Sequence, residues 1–190
     1  MKGNAPPAVA VAAACMFLVV PREAPAQAAS ESPATGEQPV PIAASPAVPA
    51  WHHPREGLVT GGQPAPAEWA GLKAQGVTTI INLRPSAEMA GRNEAAEVGA
   101  TGMAYIELPV AGAEDIDADN ARRLWSLLKA SPAPVFVHCA SGNRVGALLA
   151  LGAAQSGGMD ADAALEFGRS AGLRGLEPVV RERLGLPPAE

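Results

Sequence analysis

Residues Val135–Leu151 read "VFVHCASGNRVGALLAL", and the order of residue types in that stretch decides the fold. "PVFVHC" is a β-branched apolar run of the kind that forms a strand buried in a parallel sheet. A small turn containing Gly142 and Arg144 follows, and from Val145 to Gln155 the chain is apolar on every side. A helix of that composition has to lie in the core. In such strand-to-helix arrangements ligands gather outside the carboxyl ends of the strands. Cys139 stands at one of those ends.

Strand and helix patterns alternate on both sides of this stretch. Upstream, "GLVTGGQP" reads as a short strand and turn, "APAEWAGLKAQG" as a helix ending at Gly76, and "VTTIINL" as a buried strand. After Arg84-Pro85, "SAEMAGRNEAAEVGA" reads as one polar helix, "MAYIELPV" as a strand and "AGAEDID" as an acidic loop. Asp117 is placed to cap a helix whose Ala121, Leu124, Trp125 and Leu128 share a face. Ser131-Pro132 stops it. Downstream, Asp160 is placed to cap a further helix and "EPVVRERLG" forms the last one. This alternation predicts an α/β fold: a single three-layer domain with a mostly parallel sheet flanked by helices, over residues 51–190. Trp69 and Trp125 lie on helical faces that point to the core.

The first 50 residues read differently. Lys2, the apolar stretch Ala8–Val20 and "APAQA" ahead of Ala29 form an export signal over 1–28. The apolar stretch falls short of the roughly 20 residues a membrane span needs, although retention as an uncleaved anchor stays open. Residues 29–50, "ASESPATGEQPVPIAASPAVPA", form a Pro/Ala-rich linker without hydrophobic periodicity. A Sec-type signal places the protein in the periplasm or outside the cell. Of 14 basic and 19 acidic residues, the signal takes Lys2, Arg22 and Glu23, leaving 12 against 18, a net −6. A mildly acidic chain without a basic block is not built for nucleic acid or anionic lipid, so any anion site must be local. His52 and His53 have no third ligand at suitable spacing, and neither a metal nor another cofactor is expected. The chain is expected to act as a monomer.

Loss of the signal removes Cys15 and leaves Cys139 alone, with no internal disulfide. A lone thiol in an oxidising compartment invites oxidation. It is either a buried structural residue or a reactive one, and its surroundings favour the second. A tight loop from strand to helix points successive backbone N–H groups into a concavity that attracts anions. The amides of Ala140, Ser141, Gly142 and Asn143 would hold oxyanion oxygens there, and they favour a thiolate at Cys139. Gly142 permits a backbone turn that a Cβ would obstruct. Arg144 supplies a planar fork for two oxygens of a tetrahedral anion. Arg84, at the end of "TTIINL", is either a second anion contact or the partner of Glu88 in a salt bridge.

"HCASGNR", preceded in order by "GQPAPAEWAGLKAQGVTTIINLRP" and "YIELPV", resembles the signature loop and its context in cysteine-dependent phosphatases of the tyrosine and dual-specificity type. The whole order is similar to the phosphatase-like domain of beta-lactamase-hydrolase-like proteins, over about Gly57–Gln155. The resemblance implies that Cys139 attacks a phosphoester and forms a phospho-cysteine, that Arg144 holds its oxygens, and that His138 buttresses the loop. It places the general acid between Val110 and Asn120, where Asp115 is preferred over the nearly equal Glu114, since Asp117 serves as a cap. A merely solvated acidic loop is the alternative. Two departures matter. Four residues, not the usual five, separate Cys139 from Arg144, and Val145 stands where phosphatases usually place Ser or Thr. The shorter spacing is shared with many rhodaneses, so a sulfurtransferase carrying persulfide on Cys139 stays open for a phosphorylated or sulfur-containing anionic substrate. So does an anion-binding or redox-sensing module without turnover.

Overall fold

The computed structural model describes residues 51–189, and the expected signal and linker lie outside the described residues. Five strands form one sheet: β1 His52–Arg55, β2 Leu58–Gly61, β3 Thr79–Asn82, β4 Ala104–Glu107 and β5 Val135–His138. Their spatial order is β1-β2-β5-β3-β4, with β1 antiparallel to β2 and every other pairing parallel. The strand that opens the quoted stretch is therefore central, and its end lies between the ends of β2 and β3. The helices are α1 Trp69–Ala74, α2 Glu94–Gly99, α3 Ala118–Ala130, α4 Asn143–Ser156, α5 Ala161–Ser170 and α6 Glu177–Leu184.

The register sorts side chains onto two faces, because successive residues of a strand point to opposite sides. Val59, Phe136 and Ile80 stand side by side and pack with Trp69, Leu72, Val77, Val98 and Met103 under α1 and α2. Leu58, Val135, Val137 and Ile81 face the other way, into the larger core built with α3, α4, α5 and α6. The expected three layers are present. Every residue of α4 from Val145 to Ala153 is buried, as an all-apolar helix requires. Where α4 meets the chain after α5 the backbones nearly touch: a Cβ added to Gly146 would lie 2.2 Å from the amide nitrogen of Leu173.

Three local expectations change. The short strand β1 was not legible, since "HHPR" has no apolar alternation; it holds its place as an edge strand, where Pro54 costs no ladder bond. The single helix expected over "SAEMAGRNEAAEVGA" is broken. Ser86–Glu88 forms a 3-10 turn, Ala90 (φ 49°) and Gly91 (φ 76°) take left-handed backbone, and α2 starts afresh at Asn93, whose side chain accepts from the Ala96 amide at 3.1 Å. The break frees Glu88 to turn toward the end of the sheet. In the acidic loop, Ala113–Asp115 forms a 3-10 turn. Asp117 and Asp160 cap α3 and α5 as expected.

Candidate active site

Three stretches meet where β5 ends. Cys139 N donates to Gly61 O (3.4 Å), Gln63 N to Ala140 O (3.2 Å) and Leu83 N to His138 O (2.9 Å), so the chain after β5 is fastened to the ends of both neighbouring strands. The turn that follows is shaped by Gly142 at φ 87°, a left-handed conformation that a side chain disfavours. That turn brings the Gly142 amide to 3.1 Å from Cys139 Sγ, as donor to sulfur. Cys139 is buried at the base of the loop, while Ala140 and Ser141 above it are exposed. Asn143 sends its side chain away from the loop: Oδ1 accepts from the amides of Arg174 (2.8 Å) and Leu176 (3.2 Å) and anchors the α5–α6 connection. Its side-chain oxygen is thereby committed.

Arg144 is held from one side. Its NH1 and NH2 donate to both carboxylate oxygens of Glu88, at 2.8 and 2.6 Å, and NH1 also donates to Val110 O at 2.6 Å. The hydrogen bonds that Arg144 donates to Glu88 outweigh burial and raise the guanidinium further above its usual range. Reciprocally, Arg144 holds the Glu88 carboxyl below the usual carboxylate range. No described group accepts from Arg144 Nε, which leaves an edge of the fork for a ligand. Arg84 pairs with Glu88, Nε to Oε2 at 3.4 Å, and donates to Gln63 Oε1 at 2.7 Å. The salt-bridge reading of Arg84 is thus present in the structure.

Behind the loop lies a pair that the sequence did not reveal. His138 Nε2 sits 2.6 Å from Glu94 Oε1, both residues fully enclosed, and Gln63 Nε2 donates to the other Glu94 oxygen. His138 Nδ1 faces Cys139 O at 3.4 Å. A signal was available: Glu94 and Val98 are four apart on α2, one helical face, and both are buried.

The four carboxylates between Val110 and Asn120 differ. Asp117 accepts from the Asn120 amide (2.8 Å) and Asp119 from Arg122 (2.7 Å), while Glu114 folds back over Gly112. Asp115 Oδ2 accepts from the Ala111 amide at 2.7 Å and no described donor reaches Oδ1. Arg144 contacts the carbonyls of Val110 and Ala111, where this loop begins. Among the described residues no three His, Cys, Asp or Glu side chains converge as a metal set would.

Residues 54–156 match the family described as "Beta-lactamase hydrolase-like protein, phosphatase-like domain". The chain belongs to that family. Beta-lactamase hydrolase-like proteins of Agrobacterium fabrum and Xylella fastidiosa are 36% and 33% identical to it over 122 residues, 62% of this chain. The match takes up 28% of each relative, so the chain spans under a third of the aligned relatives' length. Among solved structures, a Neisseria meningitidis protein carrying a phosphatase designation superposes with TM-score 0.60 at 22% identity, over 70% of this chain and 96% of that one. Pseudomonas aeruginosa TpbA, solved in complex with phosphotyrosine, gives 0.54 at 21% identity over 67% and 77%. PTPMT1 gives 0.56 at 18% identity over 72% and 94%. The fold is that of the tyrosine-phosphatase-like proteins, and the site described above occupies the carboxyl end of its central strand.

Proposed function

We propose that the protein is an exported, cysteine-dependent phosphatase acting through a phospho-cysteine. The observation that carries this reading is the loop geometry: an amide 3.1 Å from Cys139 Sγ beside a guanidinium fixed by Glu88. Cys139 Sγ, as thiolate, attacks phosphorus. The amides of Ala140–Asn143 and the Nε edge of Arg144 stabilise the charge spread over the non-bridging oxygens. The P–O bond to the alcohol breaks as Asp115 delivers its proton to the leaving oxygen. Water then attacks the phospho-cysteine, Asp115 accepts its proton, and phosphate leaves with the thiolate restored. The complex of TpbA with phosphotyrosine supports an aryl phosphate as the first substrate to try. Export rests on the signal read in residues 1–28 and is checked by sequencing the amino terminus of secreted protein, expected at Ala29.

One observation favours a second reading. Val145 is fully buried among aliphatic side chains and offers no hydroxyl to help the thiolate leave during the second step. In a sulfurtransferase Cys139 Sγ attacks the outer sulfur of thiosulfate, expels sulfite, and passes the sulfur of its persulfide to cyanide as thiocyanate. No acid is needed. The deciding experiment gives the protein an aryl phosphate in one assay and thiosulfate with cyanide in the other. Cys139→Ser should be inactive in both. Asp115→Asn should slow phosphate release by roughly a hundredfold and leave sulfur transfer almost unchanged. Thiocyanate without phosphate release would replace the first reading by the second.

A further inference from the structure

Two consecutive residues leave the loop after Cys139 toward different sides of the sheet, whose order is β1-β2-β5-β3-β4. Arg144 reaches the β3–β4 side, to Glu88 and to the carbonyls of Val110 and Ala111. Asn143 reaches a turn on the β1–β2 side, where its Oδ1 accepts from the amides of Arg174 and Leu176. That turn is seated firmly. Thr60 of β2 donates from Oγ1 to Ala171 O at 2.9 Å. Gly172 takes left-handed backbone (φ 106°), and a Cβ there would lie 3.3 Å from Gly142 O and 3.2 Å from the His52 ring of β1. The backbone from Ala171 to Leu176 is thus held against the loop at Gly142 and Asn143.

Arg174 is the one charged residue in that turn, and it is exposed. Among the described residues no group accepts from its guanidinium, although its own amide is bonded to Asn143. The next carboxylate along the chain, Glu177, is already held, by Arg169 at 3.0 and 2.6 Å and by Arg181 at 2.8 Å. An exposed arginine ordinarily needs no explanation. This one has its backbone fixed to the neighbour of Arg144 and its charge unmatched. The β3–β4 side of the loop carries Glu88, Glu114 and Asp115 instead, so the loop has one acidic flank and one basic flank. We propose that Arg174 is a specificity-determining residue that binds a second negatively charged group of the substrate while the Cys139–Arg144 loop holds the first. The inference rests on that loop being the phosphate site and deepens that reading, since it names the substrate class: a phosphoester with another anionic group close by. A planar guanidinium fork suits the paired oxygens of such a group. Arg174 takes no part in bond breaking.

The test is titration calorimetry of the full chain with two probes, inorganic phosphate and inorganic tripolyphosphate. Tripolyphosphate should bind about tenfold tighter, the worth of one further charge-assisted contact. Arg174→Ala should bring the two affinities together, and Arg174→Lys should keep part of the difference, since a point charge remains. Arg183→Ala removes another exposed arginine, from α6, and should leave the difference intact. Labelling of Cys139 with iodoacetamide should abolish binding of both probes, which places them at the loop. Equal affinities in the unaltered protein would overturn the inference. So would a difference that survives Arg174→Ala, or one that Arg183→Ala removes equally, because net charge alone would then explain it. Binding of tripolyphosphate that survives labelling, or no binding of either anion, would overturn it too. Neither probe is a phosphoester and binding needs no turnover. An Arg174-dependent difference in a protein that releases no phosphate from an aryl phosphate would therefore sink the phosphatase reading and leave the anion subsite standing.

Discussion

The two faces of the sheet do different work, and one residue of register separates them. Val135 and Val137 point into the aliphatic core with α4, and so does Cys139, whereas Phe136 and His138 point toward α1 and α2. On the first face almost everything is Leu, Ile, Val or Ala, and it holds by close packing. On the second, the apolar cluster around Trp69 and Phe136 gives way at the strand ends to Asn82, His138 and Glu94, held by hydrogen bonds. Neighbouring residues, His138 and Cys139, thus belong to different cores. The packed face sets where Cys139 stands, and the polar face holds a hydrogen-bonded pair behind the same loop.

The comparison breaks if both faces respond alike to substitution. The largest effect is expected on the packed face. Leu148→Ala removes a fully buried side chain where α4 has no room to collapse, costing about 2–5 kcal/mol in chemical denaturation. Labelling of Cys139 in the protein that remains folded should be little changed. Next comes Glu88→Gln. A carboxamide offers one acceptor where Arg144 now uses two, so the fork loses its alignment, and KM for an aryl phosphate should rise about tenfold. Its thermal midpoint should hardly move, because Glu88 is 32% exposed and such pairs contribute at most about 1 kcal/mol. A large drop in midpoint with unchanged KM would make Glu88 a packing residue. Trp69→Phe sharpens the boundary between the two kinds of interaction. The ring stays in its cluster but the 2.9 Å bond from its N–H to Glu97 is lost, for about 1 kcal/mol.

The smallest effect is a pH dependence away from both faces. Arg169, then Arg181, hold the Glu177 carboxyl down at about 2, which fastens α6 to the end of α5. A depressed acid contributes stability above its ordinary value of 4.5 and loses it as pH falls toward about 2. The difference in thermal midpoint between the protein and Glu177→Gln should therefore be present at neutral pH and vanish by about pH 2. A difference that persists in acid would mean the contact acts by shape alone.

Much of this was legible residue by residue. Apolar runs in β3 and β5, the all-apolar α4 and the caps Asp117 and Asp160 are local features, with a period or a hydrogen bond spanning a few positions. What misled was the stretch from Ser86 to Ala100, whose composition suits one helix. Local propensity is worth a few tenths of a kcal/mol per residue, and the left-handed turn at Ala90-Gly91 with the Asn93 cap interrupts it, while Glu88 reaches Arg144, 56 positions away. That long-range contact accompanies the break.

The sequence by itself determined the layered α/β architecture, the place of Cys139 at a strand end and the loop that carries it to Arg144, because periodicity and turn chemistry are short-range. Only the tertiary structure decided which carboxylate holds Arg144, and that Glu94 stands behind His138 with Gln63 between Glu94 and Arg84. Those partners come from four separate segments, and nothing in local spacing orders them. They meet because parallel pairing brings the carboxyl ends of β2, β5 and β3 to one edge, where charge burial admits only matched neighbours.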